Sequence, residues 1–171
     1  VQCWWTGKDS TSDVARSAAR ATSEGVGCLK VKVGARPVAG DARRLRAVRE
    51  RVGESVELRA DANCAWNRDR AEDAFDAFAD LGVSYVEQPL DPGDLAGHRA
   101  LRGRAVDVAL DESLREFTID EIVDAGAADV VIVKPMILGG PDLARAAATA
   151  ARAAGIDPVV STTVDAVVAR T

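Results

Sequence analysis

The chain is poor in the residues on which much enzyme chemistry depends. It has one histidine, His98, in 171 residues, so a Ser–His–Asp or Cys–His triad could draw on only one imidazole. His98 lies in Leu95-Ala96-Gly97-His98-Arg99 and reads as part of a helix surface, where a non-catalytic role is the simpler reading. Cysteine is scarce too: Cys3, Cys28 and Cys64 are odd in number and far apart. That spacing suits neither a disulfide framework nor a zinc site, and they read as reduced thiols of a cytoplasmic protein. No apolar run approaches the roughly 20 residues of a membrane span, and no leader pattern opens the chain. Net positive charge is lacking as well. At −5, with arginines scattered beside acids, the balance argues against a nucleic-acid surface.

Lysine is rare in an otherwise basic-rich sequence. Of 22 basic residues only Lys8, Lys30, Lys32 and Lys134 are lysines. Arginine does not give up its proton, so a lysine on an apolar strand points to a role arginine cannot fill. Leu29-Lys30-Val31-Lys32-Val33-Gly34 reads as a short buried strand in which Lys30 and Lys32 share one face. Two neighbouring ammonium groups, partly desolvated, should depress each other's pKa and yield a lysine base. The competing reading is that both snorkel to solvent at a strand end.

Short β-type runs alternate with amphipathic runs along the whole sequence. Strands are expected over Val1–Thr6, Cys28–Val33, Val56–Asp61, Val83–Glu87, Ala105–Asp111, Ala128–Lys134 and Asp157–Ser161. Helices are expected over Ser12–Glu24, Asp41–Arg51, Arg68–Leu81, Gly93–Leu101, Thr118–Ala125 and Asp142–Ala154, with a further one opening at Val164–Thr171. A strand about every 25 residues with helices between is the βα repeat of a parallel sheet. No Gly-x-Gly-x-x-Gly opens the first helix, so a dinucleotide-binding sheet lacks its fingerprint. The expectation is a single continuous unit over 1–171, an α/β partial (β/α)8 TIM-type barrel of about seven βα units.

In such barrels chemistry collects where strands run out. Consecutive strand ends carry Asp61 in Asp-Ala-Asn, Glu87 in Glu-Gln-Pro and Asp111 in Asp-Glu-Ser, flanked by Lys32 and Lys134. Neighbouring strands lie about 4.8 Å apart. At ~5 Å and an effective dielectric of ~20, each like-charged pair costs on the order of 3 kcal/mol. A divalent cation removes that repulsion, and an all-oxygen set suits Mg2+, with Mn2+ as the other choice. Trp66 could line the mouth of the site or pack in a loop, Arg59 could pair with Glu57 or the acids, and Arg43-Arg44-Arg46-Arg49 reads as a solvated helix face.

As a set, Lys30-Val31-Lys32, Asp61-Ala62-Asn63, Glu87-Gln88-Pro89, Asp111-Glu112-Ser113 and Lys134-Pro135-Met136 resemble the enolase superfamily, in its muconate-lactonising subgroup. The resemblance implies Lys32 as acid/base, Lys134 as the opposite lysine, Lys30 as a neighbour that tunes Lys32 and touches a carboxylate substrate, and Asp61, Glu87 and Asp111 as magnesium ligands. Leu138-Gly139-Gly140-Pro141 and Val160-Ser161-Thr162-Thr163-Val164-Asp165 look most like o-succinylbenzoate synthases of menaquinone biosynthesis. These are carbon–oxygen lyases, and the likeness implies that Ser161 and Thr162 bind the succinyl end. A dipeptide epimerase or N-acylamino acid racemase uses the same lysines and remains an alternative, as does an inactive truncated barrel serving as a folding or binding remnant. Relative to the superfamily, an N-terminal capping domain and an eighth strand are expected to be absent. The partner expected is a small-molecule carboxylate, with no nucleic acid and no membrane; a homo-oligomer is left open.

Overall fold

The computed structural model describes residues 3–6 and 10–162; the helix expected over Val164–Thr171 lies outside the described residues. Short runs, most of them rich in apolar residues, form seven strands: β1 (Cys3–Thr6), β2 (Cys28–Lys32), β3 (Glu57–Asp61), β4 (Val83–Glu87), β5 (Asp107–Leu110), β6 (Val130–Val133) and β7 (Asp157–Val160). All are parallel and follow one another in space in chain order. A doubly wound sheet reverses its strand order at a switch point; this one never does. It is part of a (β/α)8-type barrel.

The helices are α1 (Thr11–Ser23), α2 (Val38–Val52), α3 (Arg68–Ala79), α4 (Leu95–Leu101), α5 (Ile119–Ala125), α6 (Pro135–Leu138) and α7 (Pro141–Ala153). Side-chain caps fix several starts: Ser10 accepts from Asp13 N–H, Asn67 from Arg70 N–H, and Thr118 with Glu121 makes a reciprocal capping box. Helix α2 starts three residues before the expected Asp41, because Pro37 presets the φ of the turn that enters it. The short α6 and a 3-10 turn at Glu112–Arg115 were not expected; neither spans enough residues to show a periodicity.

The main core lies between strands and helices. Val14, Ala18 and Ala21 of α1, Leu45 and Val48 of α2, and Ala71, Ala74, Phe75 and Phe78 of α3 pack on Leu29, Val31, Leu58 and Val86. Their spacing is that of one helix face, and burying each phenylalanine is worth about 1.5–3 kcal/mol. A second, small cluster of Tyr85, Ala109, Val130 and Ile132 fills the inner face of the sheet. No helix among the described residues is long and apolar enough to cross a membrane.

Within the arginine run, Arg44 and Arg49 are buried. Arg44 pairs with buried Asp41 at 3.0 Å, while Arg49 donates to the carbonyls of Leu81, Gly53, Val56 and Gly82. His98 is also fully buried, since Nδ1 meets the Asp94 carbonyl at 2.8 Å, and burial holds its pKa below the usual range. Trp66 packs in the core against Phe78, with ring centroids 6.1 Å apart, so loop packing accounts for it.

Candidate active site

Strand β2 ends on Lys32, β3 on Asp61 and β4 on Glu87, and the parallel ladder sets the three side by side in register. Glu87 is level with Ala109, so Asp111 lies two residues further on, just past β5. Lys134 follows β6 in the same way. The two-residue period of a strand puts Lys30 on the face of Lys32, as expected.

Five of these side chains and Asp111 form a row of ion pairs. Lys30 Nζ donates to both oxygens of Glu87 at 2.9 and 2.8 Å and stands 3.2 Å from Asp61 Oδ2. Lys32 Nζ lies 2.5 Å from Asp61 Oδ2 and also bonds Asn63 Oδ1. Lys134 pairs with Asp111 Oδ2. The carboxylates are buried and the lysines partly so.

Burial and the Asp61 carboxylate push Glu87 up to about 7, against the pull of Lys30. Burial also acts to raise Asp61, but the ammonium groups of Lys30 and Lys32 outweigh it and hold the group below the usual carboxylate range. Lys30 reverses the expected direction. Burial acts to lower it, yet Glu87 and Asp61 hold it above the ordinary lysine range, because both carboxylates lie within 3.2 Å of its ammonium.

The backbone at this rim is laced between neighbouring strand ends. Val33 N–H donates to Asp61 O, Ala62 N–H to Glu87 O, Cys64 N–H to Gln88 O and Gln88 N–H to Ala109 O, all at 2.8–2.9 Å. The three non-glycine residues with positive φ, among the described residues, are Asn63 (45°), Cys64 (61°) and Gln88 (41°). All follow a carboxylate-bearing strand end, and such strain persists where surrounding contacts over-determine it. Asn63 Nδ2 also donates to Glu112 Oε1 at 3.1 Å, linking Lys32 to the turn after Asp111. Asn63, Gln88, Glu112 and Ser113 belong to the quoted motifs, but residue type alone assigned them no role.

Other expected residues fall as follows. Ser161 is half-buried, and its N–H donates to the Val133 carbonyl at 2.9 Å, which sets it beside Lys134. Thr162 is exposed. Arg59 pairs with Glu57 at 2.7 Å and lies over the Tyr85 ring at 4.9 Å, which decides between its two expected partners.

As they stand, among the described residues, no three His, Cys, Asp or Glu side chains are gathered tightly enough to hold a metal ion. The donor chemistry nevertheless fits a hard cation. One already bridges the acids, since the Lys30 ammonium sits between Asp61 and Glu87. Burial first, and the Asp61 carboxylate second, disfavour the charged form of Glu87, a cost that a cation beside both acids would offset. Asp61, Glu87 and Asp111 could offer oxygen donors of the kind that Mg2+ prefers.

Residues 13–169 match the family model described as enolase C-terminal domain-like. The chain belongs to the enolase superfamily. Among its superfamily relatives, the L-Ala-D/L-Glu epimerase of Bacillus subtilis (strain 168) is 32% identical over 163 residues, covering 92% of this chain and 44% of that protein. The o-succinylbenzoate synthase of Thermobifida fusca (strain YX) is 39% identical over 147 residues, covering 84% and 45%. A crystal structure of the dipeptide epimerase from Enterococcus faecalis V583, complexed with Mg and the dipeptide L-Leu-L-Tyr, superposes with a TM-score of 0.86 at 31% identity, covering 95% of this chain and 46% of that one. The chain thus spans less than half the length of these superfamily relatives.

Proposed function

We propose that this chain forms the proton-transferring barrel of a metal-dependent enzyme that acts on the carbon beside a carboxylate. One observation carries the reading: Lys32 and Lys134 stand at opposite ends of a row of three strand-end carboxylates, each paired with the outermost acid on its side. Asp61, Glu87 and Asp111 would hold Mg2+, with Mn2+ suiting the same donors. Bound there, the ion would supply Lewis acidity toward the substrate carboxylate as the α-proton leaves. Lys32 takes that proton. Lys30, kept charged by Glu87 and Asp61, meets the substrate carboxylate rather than moving protons.

For the specific reaction, we propose dehydration of a succinyl-hydroxycyclohexadiene carboxylate to o-succinylbenzoate. The 39% identity to the Thermobifida fusca synthase supports it. Lys32 returns a proton to the departing hydroxyl on the same face, Lys134 stays protonated against the ring as a cation, and Ser161 and Thr162 hold the succinyl end. A second reading is epimerisation of a dipeptide or racemisation of an N-acylamino acid, supported by the epimerase match that reaches 92% of the chain. There Lys32 and Lys134 exchange protons from opposite faces.

The intact protein with Mg2+ separates the two readings. Formation of aromatic product is followed on the cyclohexadiene substrate, and deuterium uptake at the α-carbon on dipeptides in D2O. Lys134→Arg should keep part of the dehydration, because arginine retains the charge, and should lose all epimerisation, because it cannot return a proton. Absence of both reactions in the wild type would overturn the proposal.

A further inference from the structure

Gln88 lies between the two strand ends that carry Glu87 and Asp111, and it is fully buried. Its φ of 41° is in the left-handed region, which an ordinary side chain enters only when its contacts hold it there. Those contacts are specific. Oε1 accepts from the backbone N–H of Asp111 at 3.0 Å and of Ser113 at 3.2 Å, filling both lone pairs of the amide oxygen. Nε2 donates to Ser113 Oγ at 2.9 Å and to the Leu90 carbonyl at 3.2 Å, with His98 Nε2 at 3.4 Å.

The bond directions can be worked out from partners that only accept. Ser113 Oγ gives its hydrogen to the Pro92 carbonyl at 2.9 Å, so it receives Gln88's amide. His98 Nδ1 faces the Asp94 carbonyl, so Nδ1 carries the proton and Nε2 faces Gln88 as an acceptor. Flipping the amide would set its NH2 against two backbone N–H groups, which only the observed orientation avoids.

We infer that Gln88 is a positioning residue for the divalent-ion site: its amide ties the turn that carries Asp111 to the residue immediately after Glu87, fixing two ligands relative to each other. This rests on the proposed reading of Asp61, Glu87 and Asp111 as metal ligands. Groups that orient ligands in this way change metal affinity by about 10–100-fold when removed.

Calorimetric titration of the intact protein with Mg2+ tests it, with unfolding in EDTA measured beside it. Gln88→Met keeps length and removes both amide functions, so it should bind Mg2+ about 10–100-fold more weakly than wild type. Should that variant not fold, Gln88→Asn serves, because asparagine tolerates positive φ yet its shorter amide falls short of the Asp111 N–H; the same weakening is expected. Ile122→Ala, in the core of α5, should lower stability and leave Mg2+ affinity within about threefold, since it touches none of these bonds. A folded Gln88 variant that binds within threefold of wild type overturns the inference alone, as does an Ile122→Ala loss of equal size. A wild type that binds no Mg2+ overturns the metal-site reading and the inference with it.

Discussion

Asp41→Ala would leave a charged guanidinium buried without its carboxylate. Arg44 is 1% exposed and Asp41 is fully buried, with 3.0 Å between them. Arg44 Nη1 also donates to the Lys32 carbonyl at 2.7 Å, and Asp41 Oδ2 accepts from Gly34 N–H at 2.8 Å. The pair therefore grips the backbone on both sides of Val33, at the end of the strand that presents Lys32, the proposed acid/base. Loss of the bond to Gly34 N–H accounts for about 1.5–3 kcal/mol. Breaking a buried pair by removing one partner costs about 3–5 kcal/mol in all. The double variant Asp41→Leu/Arg44→Met leaves no lone charge and should recover part of that stability, although Gly34 N–H stays unpaired. The Lys32 carbonyl loses its anchor in both variants, so turnover should stay depressed in the double variant even as stability returns. Urea unfolding curves and initial rates on the same preparations separate the two effects. An Asp41→Ala variant within about 1 kcal/mol of wild type, against the 3–5 expected, would refute the reasoning.

Further outcomes follow from the same contacts. Lys32→Ala should lower proton transfer by at least ~10²–10⁴-fold, measured as α-deuterium uptake with Mg2+ present; near-wild-type uptake would remove Lys32 from the role. Gly34→Ala would place a Cβ 2.4 Å from that of Ala65 at a φ of 94°. The backbone strain alone is worth about 1–3 kcal/mol, so its unfolding midpoint should fall clearly. His98 has a folded-state pKa below its usual 6.5, so the native state holds fewer protons there than the unfolded chain. Its contribution is intact above about pH 6.5 and is lost as pH falls from there toward the folded-state value. Urea midpoints measured against pH should show that acid limb, and His98→Asn should flatten it.

The strand-end rim is legible in the sequence because a parallel βα repeat forces equivalent residues to one end of the sheet. Lys32, Asp61 and Glu87 fall in register through hydrogen-bonding geometry that needs no knowledge of the helices. The caps at Asn67 and Thr118 are local in the same sense. What surrounds the rim depends on residues distant in the chain. Arg49 looks like a solvated arginine until four carbonyls, from two other segments and its own helix end, converge on it. His98 is hidden where the Asp94 carbonyl meets its Nδ1 and the Gln88 amide lies 3.4 Å from its Nε2. The charge state of Lys30 likewise turns on how closely Glu87 and Asp61 approach it, a distance that residue spacing does not contain.

Crystals of the intact protein soaked in Mn2+ test the central claim most directly, through the anomalous signal of the ion. The account predicts one peak at about 2.0–2.6 Å, the span of hard-cation bonds to oxygen, from an oxygen of each of Asp61, Glu87 and Asp111, with the Lys30 ammonium moved off Asp61. No peak at this rim, or one that leaves out any of the three acids while Lys30 still bridges Asp61 and Glu87, would contradict it.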